Sequence, residues 1–152
     1  MIFAKYKKLH PDAIEPQYSL SGDGCLDLWA VSREEDNMGN IVFGTGIAME
    51  IPEGCVGLLF PRSSVTKTQF VLGNSVGVID SNYRGEIQLK FTRVRPIKGK
   101  STRNKLPVCN FYRPGSKIGQ ILIIPRPQVV LLESEELSDT NRGEGGFGST
   151  GT

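Results

Sequence analysis

Nowhere along this chain do apolar residues hold one face for three helical turns. They come in short runs: Ile87, Leu89 and Phe91 alternate with Glu86, Gln88, Lys90 and Thr92, while 56–60 and 118–124 are largely apolar blocks bounded by Pro or Gly. A period of two is the pattern of a half-buried strand, and such blocks are too short for a buried helix. Further strand candidates are 2–5, 25–30, 45–51 and 128–132, and 64–68 fits one short helical turn. With 18 Gly and nine Pro punctuating 152 residues, the expected architecture is one all-β domain, a sandwich or barrel.

Charge and cysteine content narrow the function classes. Eighteen Lys+Arg against 16 Asp+Glu lack the cationic excess that general nucleic-acid binding needs. Cys25, Cys55 and Cys109 match neither a disulfide framework nor a zinc pattern, which points to a reducing compartment. His10 is the only histidine and sits beside Pro11, a poor setting for a Ser-His-Asp triad. No signal-like or membrane-length apolar run is present, so the expectation is a soluble, cytoplasmic protein with no membrane partner. Residues 93–117 carry eight of the 18 cations and no acid, and read as a basic, solvated insertion loop, with partner binding the alternative.

Three segments have the composition of a site. The tail, 142–152, holds Gly143, Gly145, Gly146, Gly148 and Gly151, one aromatic ring (Phe147), Arg142, and the hydroxyls of Ser149 and Thr150. Glycines let backbone N–H groups approach a phosphate, and a lone ring without a core to join is free to stack on a base. A plain mobile terminus explains the same composition. The run Asn74-Ser75-Val76-Gly77-Val78-Ile79-Asp80-Ser81-Asn82-Tyr83-Arg84-Gly85-Glu86 reads as a β-hairpin around an Asp-Ser-Asn turn. Taken alone, Asp80 is more often a turn cap than a base. Pro61-Arg62-Ser63-Ser64 ends an apolar strand and suits either a phosphate or a capped turn.

Together these segments resemble the trimeric dUTPase family, in five ordered motifs. They are Asp23-Gly24-Cys25-Leu26-Asp27-Leu28, Pro61-Arg62-Ser63-Ser64, the stretch from Gly77 to Ile87, Gly115-Ser116-Lys117-Ile118-Gly119-Gln120-Ile121, and the Gly-rich tail. The resemblance implies a jelly-roll-like β-barrel over 1–141, a flexible arm over 142–152, and a homotrimer with shared active sites. It implies hydrolysis of dUTP to dUMP and pyrophosphate, which lowers dUTP and supplies dUMP for dTMP synthesis. By position, Asp80 matches the carboxylate that activates the attacking water, and Tyr83 the aromatic under the deoxyribose. Asn74, Val78, Ile79 and Gln88 match the uracil-reading segment, and Arg62, Ser63, Ser64 and Gln120 match phosphate contacts. Asp27 matches the acid that holds Mg²⁺ through water. Arg142, Phe147, Gly148, Ser149 and Thr150 match the arm that closes over base and γ-phosphate. Leu26 departs from the family's aromatic residue, Val65-Thr66-Lys67 departs from its small-apolar continuation, and the 93–117 stretch is longer than usual. A dCTP deaminase-like enzyme and a catalytically weak dUTP-binding regulatory module remain the alternatives.

Overall fold

Alternation along one strand sets the pattern for the whole molecule: Ile87, Leu89 and Phe91 are at most 1% exposed, while Gln88, Lys90 and Thr92 face solvent. The structure, a computed structural model, describes residues 1–94 and 112–146. Among these, the strands are β1 (Lys5–Lys8), β2 (Leu26–Trp29), β3 (Ser32–Glu35), β4 (Ile41–Glu50) and β5 (Cys55–Phe60). After a 3₁₀ turn (Ser63–Lys67) come β6 (Phe70–Leu72), β7 (Gly77–Ile79), β8 (Glu86–Arg93) and β9 (Lys117–Pro125). No helix among the described residues is long and apolar enough to cross a membrane.

Every ladder is antiparallel. One sheet runs β1-β4-β8-β6, with β3 and β1 sharing one flank of β4; the other runs β2-β9-β5-β7. The inner faces meet in one apolar cluster, with Leu28, Leu59, Ile118 and Ile121 from the second sheet against Ile41, Phe43, Ile87 and Leu89 from the first. Phe43, Phe91 and Tyr112 form an aromatic knot at its centre, with ring centroids 5.8 to 6.1 Å apart. This is the all-β, jelly-roll-like fold that the sequence led us to expect.

A bulge interrupts the β4–β8 ladder between Gly44 and Ala48. There Gly46 adopts φ +64°, a conformation that side chains disfavour, and its N–H donates to Glu86 Oε1 at 2.6 Å. Thr45 is buried in the same bulge, where its hydroxyl donates to the Ile87 carbonyl at 2.7 Å.

The elements differ from expectation in several places. The 74–86 run is not a hairpin: β7 pairs with β5 in one sheet, whereas β8 pairs with β4 and β6 in the other. Residues 80–85 therefore carry the chain from sheet to sheet. The segment 128–132 forms no strand, because it finds no ladder partner among the described residues; Val129, Val130, Leu131 and Leu132 are 70 to 90% exposed. The first strand begins only at Lys5, β4 starts earlier than expected, and β3 and β6 went unforeseen. Of the basic segment, 95–111 lies outside the described residues. Its two ends are strand rather than loop: Arg93 closes β8 and pairs with Glu35 at 3.1 Å, and Lys117 opens β9.

Candidate active site

Three of the five motifs converge on one cleft. Ser19, Asp23, Gly24, Cys25, Asp27, Arg62, Ser63 and Gln120 line a cavity of about 300 Å³. Register explains the meeting: Asp27 on β2 pairs with Gln120 on β9, and β9 pairs in turn with β5, where Gln120 faces Phe60 just ahead of Arg62. Gln120 Nε2 donates to the Pro61 carbonyl at 3.1 Å, tying the second motif to the fourth.

Asp27 organises this cleft. It is 6% exposed, and both of its oxygens are engaged. Arg62 Nε lies 3.0 Å from Oδ1, and Lys117 Nζ lies 2.8 Å from Oδ2. Ser19 donates its hydroxyl to Oδ2 at 2.6 Å. Burial by itself would push the Asp27 carboxyl up; hydrogen bonds from Lys117 and Ser19, with the charges of Arg62 and Lys117, outweigh it and hold the group below its ordinary value. The trio of one acid and two cations carries a net positive charge that offsets the Asp23 carboxylate also lining the cleft, and the Arg62 guanidinium with the Ser19 and Ser63 hydroxyls supplies donors for an anion. Ser63 is exposed at its edge. Ser64 shares a 2.9 Å hydrogen bond with the Tyr112 hydroxyl, so its side chain is directed to the core.

The third motif forms a separate group. Asp80 is exposed at the end of β7, and its backbone carbonyl accepts from the Tyr83 N–H at 3.1 Å. Arg84 closes this loop by donating to the Ser81 and Tyr83 carbonyls at 2.7 and 2.9 Å. Tyr83 leans its ring over Gly85 and donates its hydroxyl to the Glu86 carbonyl at 3.0 Å, leaving the ring 43% exposed. The Asn74 amide folds over Gly77, Val78 is exposed, and Ile79 is buried. Gln88 lies in the other sheet, with its amide on Glu86 Oε2 at 3.0 Å. Gly57 pairs with Ile79, so Asp80 reaches the level of Val56, six residues before Arg62. Six extended residues amount to roughly 20 Å along the strand. Within one chain, the two groups stand toward opposite ends of β5.

Arg142 starts a turn rather than hanging free: its Nε donates to the Gly145 carbonyl at 2.8 Å. Phe147, Gly148, Ser149 and Thr150 lie outside the described residues.

The dUTPase family model matches residues 12–151. The chain belongs to the dUTPase family. It is 38% identical over 148 residues to the deoxyuridine 5'-triphosphate nucleotidohydrolase of Clostridium kluyveri, covering 96% of each chain. The dUTPase of Staphylococcus bacteriophage 80alpha, solved with dUPNHPP, superposes with a TM-score of 0.78 at 27% identity, and 99% of each chain is covered. A mutant dUTPase from phage phi11 of S. aureus, in which a structural Mg(II) ion is coordinated, shares the fold at a TM-score of 0.69 and 23% identity, covering 90% of this chain and 99% of its own.

Among dUTPase residues read from sequence, Asp27, Arg62, Ser63 and Gln120 are thus brought together; Val78, Ile79, Asp80 and Tyr83 follow one another at the crossing from β7 to β8, while Asn74 sits beyond the other end of β7, over Gly77. Two partners of Asp27 were missed. Ser19 sits in a loop with no distinguishing pattern, and Lys117 was counted with the basic loop although it lies inside the fourth motif. The spacing of Lys117 to Gln120 was the available signal.

Proposed function

We propose that the chain hydrolyses dUTP to dUMP and pyrophosphate, lowering dUTP and supplying dUMP for dTMP synthesis, with Asp80 as the base. The observation that carries this reading is the pairing of an anion-accepting cleft around Asp27, Arg62, Ser63 and Gln120 with an exposed carboxylate, Asp80, beside an exposed Tyr83 ring. Asp80 takes a proton from water as the water oxygen bonds to the α-phosphorus. The bond from that phosphorus to the bridging oxygen breaks, and pyrophosphate leaves. Arg62 offsets the charge that builds on the leaving group, with Arg142 joining it from the arm. Tyr83 lies under the deoxyribose and excludes a 2′-hydroxyl, while Asn74 and the backbone of Val78 and Ile79 read uracil. Ser63 and Gln120 contact phosphate with their side chains, and Ser64, whose hydroxyl is engaged with Tyr112, contributes its backbone N–H. Phe147, Gly148, Ser149 and Thr150 close over base and γ-phosphate, and closure shields the reacting water from solvent.

The chain's residues fit Mg²⁺ only as a partner of the substrate. Among the described residues no three acidic, His or Cys groups gather that could hold a metal alone. Two carboxylates, Asp23 and Asp27, in a cleft that also holds the Ser19 and Ser63 hydroxyls are too few to cage an ion and suit one that keeps its waters and takes phosphate oxygens. Asp27 is the residue that would hold it through water, and the ion would supply neutralisation of the phosphates.

The separation along β5 supports a homotrimer with shared sites, in which Asp80 of one copy and the cleft of another would complete a site. The exposed apolar run at 129–132 is further surface for such an assembly to cover.

The test is purified protein with Mg²⁺ and, in parallel, dUTP, dCTP, dTTP or UTP, with products separated by chromatography. dUMP and pyrophosphate from dUTP alone support the proposal. Formation of dUTP from dCTP would assign a deaminase, and tight dUTP binding without turnover would assign a regulatory module.

A further inference from the structure

Lys117 reaches Asp27 only because the β2–β9 ladder slips by one residue. Leu28 faces Gly119, but Trp29 faces Lys117, so Ile118 is the extra residue of a bulge. Gly119 and Ile121 are buried, and strict alternation would turn Lys117 inward with them. The bulge instead sends Ile118 into the core at 0% exposure and turns Lys117 out onto the face that carries Asp27. Three contacts then fix the ammonium: Asp27 Oδ2 at 2.8 Å, the Ser19 hydroxyl at 2.6 Å, and the Trp29 ring at 5.1 Å from its centroid. Arg62 holds the other carboxylate oxygen.

We propose that Lys117 is a positioning residue that reserves Asp27 for a metal arriving with nucleotide. Resting on the assignment of Asp27 above, the inference concerns order of entry rather than chemistry. In the nucleotide-free protein the acid already has a cation on each oxygen, and a divalent ion there would be repelled by both and would have to compete with them for Asp27. Only a polyphosphate brings enough negative charge to draw Arg62 toward itself and to make a third cation favourable. Trp29 and Ser19 keep the ammonium in place when Arg62 moves, so Asp27 stays oriented and does not collapse onto the phosphates as a competing anion.

Mn²⁺ binding, followed by electron paramagnetic resonance, tests this without reference to turnover. For the unaltered protein, affinity without nucleotide should be weaker than with a non-hydrolysable dUTP analogue by roughly tenfold or more. Lys117→Met should tighten nucleotide-free Mn²⁺ binding by roughly tenfold, the effect of removing one adjacent cation. Lys117→Arg, which restores the charge, should return it toward the original value. Equal Mn²⁺ affinity with and without the analogue in the unaltered protein would overturn the proposal, even if Lys117→Met fails to fold. So would a folded Lys117→Met whose nucleotide-free affinity is unchanged. Turnover of dUTP, measured on the same unaltered preparation, separates this from the parent reading: with turnover intact, either negative result removes the Lys117 proposal and leaves the function standing.

Discussion

Asp80 and Asp27 are the same residue type in opposite settings, and the contrast suits the different roles we propose for them. Asp27 is buried and saturated by Arg62, Lys117 and Ser19, so it is committed to organising the cleft. Asp80 is exposed, and its carboxylate meets no hydrogen-bond donor among the described residues, which leaves it open to a water. Asp80→Asn should therefore leave the Kd for a dUTP analogue nearly unchanged and lower kcat by roughly 10²-fold or more, the usual worth of a general base. A variant keeping most of its kcat would remove Asp80 from that role. Tyr83→Ala should narrow the ratio of kcat/KM for dUTP over UTP. An unchanged ratio with lower activity would make Tyr83 a packing residue for Gly85 and nothing more. Asp27 and Asp80 were both legible as motif positions. The ion pairs around Asp27 were not, because they join residues 35 and 90 positions away and depend on a bulge that leaves no mark in apolar patterning.

Elements were legible where a strand has one wet face. β8, β5 and β9 followed from alternation or from compact apolar blocks, since burial on one or both sides imposes those patterns directly. β4 was caught only in part: the 45–51 candidate runs through Gly46 but leaves out 41–44, the stretch on the other side of the bulge in one continuous strand. The supposed hairpin failed for a different reason. Turn chemistry at Asp80-Ser81-Asn82 marks a change of direction but carries no information about which sheet each arm joins. The turn between β3 and β4 offers an element-scale prediction. Asp36 accepts from Lys90, from the Asn40 side chain and N–H, and from the Met38 N–H, and these hold its carboxyl far below the ordinary range. A folded pKa depressed in this way contributes stability above the unfolded value of about 3.9, and that contribution is lost as pH falls below it. Asp36→Asn should thus lower Tm at pH 7, with the difference from the unaltered protein shrinking below about pH 4. A difference that stays constant with pH would mean that the turn is held by shape and not by this charge.

At the scale of the whole molecule, the fold sets Arg62 and Asp80, the two residues we propose act on one triphosphate, toward opposite ends of β5. Strand β5 carries Arg62 beyond one end and, through its pairing with β7, Asp80 level with Val56 near the other, roughly 20 Å away along the strand. Composition had no means of revealing this, because sequence motifs specify residues and not which copy supplies them. The central claim is that dUTP is hydrolysed at sites built from more than one copy, and subunit mixing tests it directly. Asp80→Asn and Arg62→Ala proteins, each nearly inactive alone, are unfolded together in equal amounts, refolded, and assayed for dUMP and pyrophosphate from dUTP. If Asp80 and Arg62 of a site come from different chains, random assembly leaves about one quarter of the sites intact, and the mixture should recover up to that share of full turnover. A mixture no more active than its two components would place both residues in one chain's site and contradict the account.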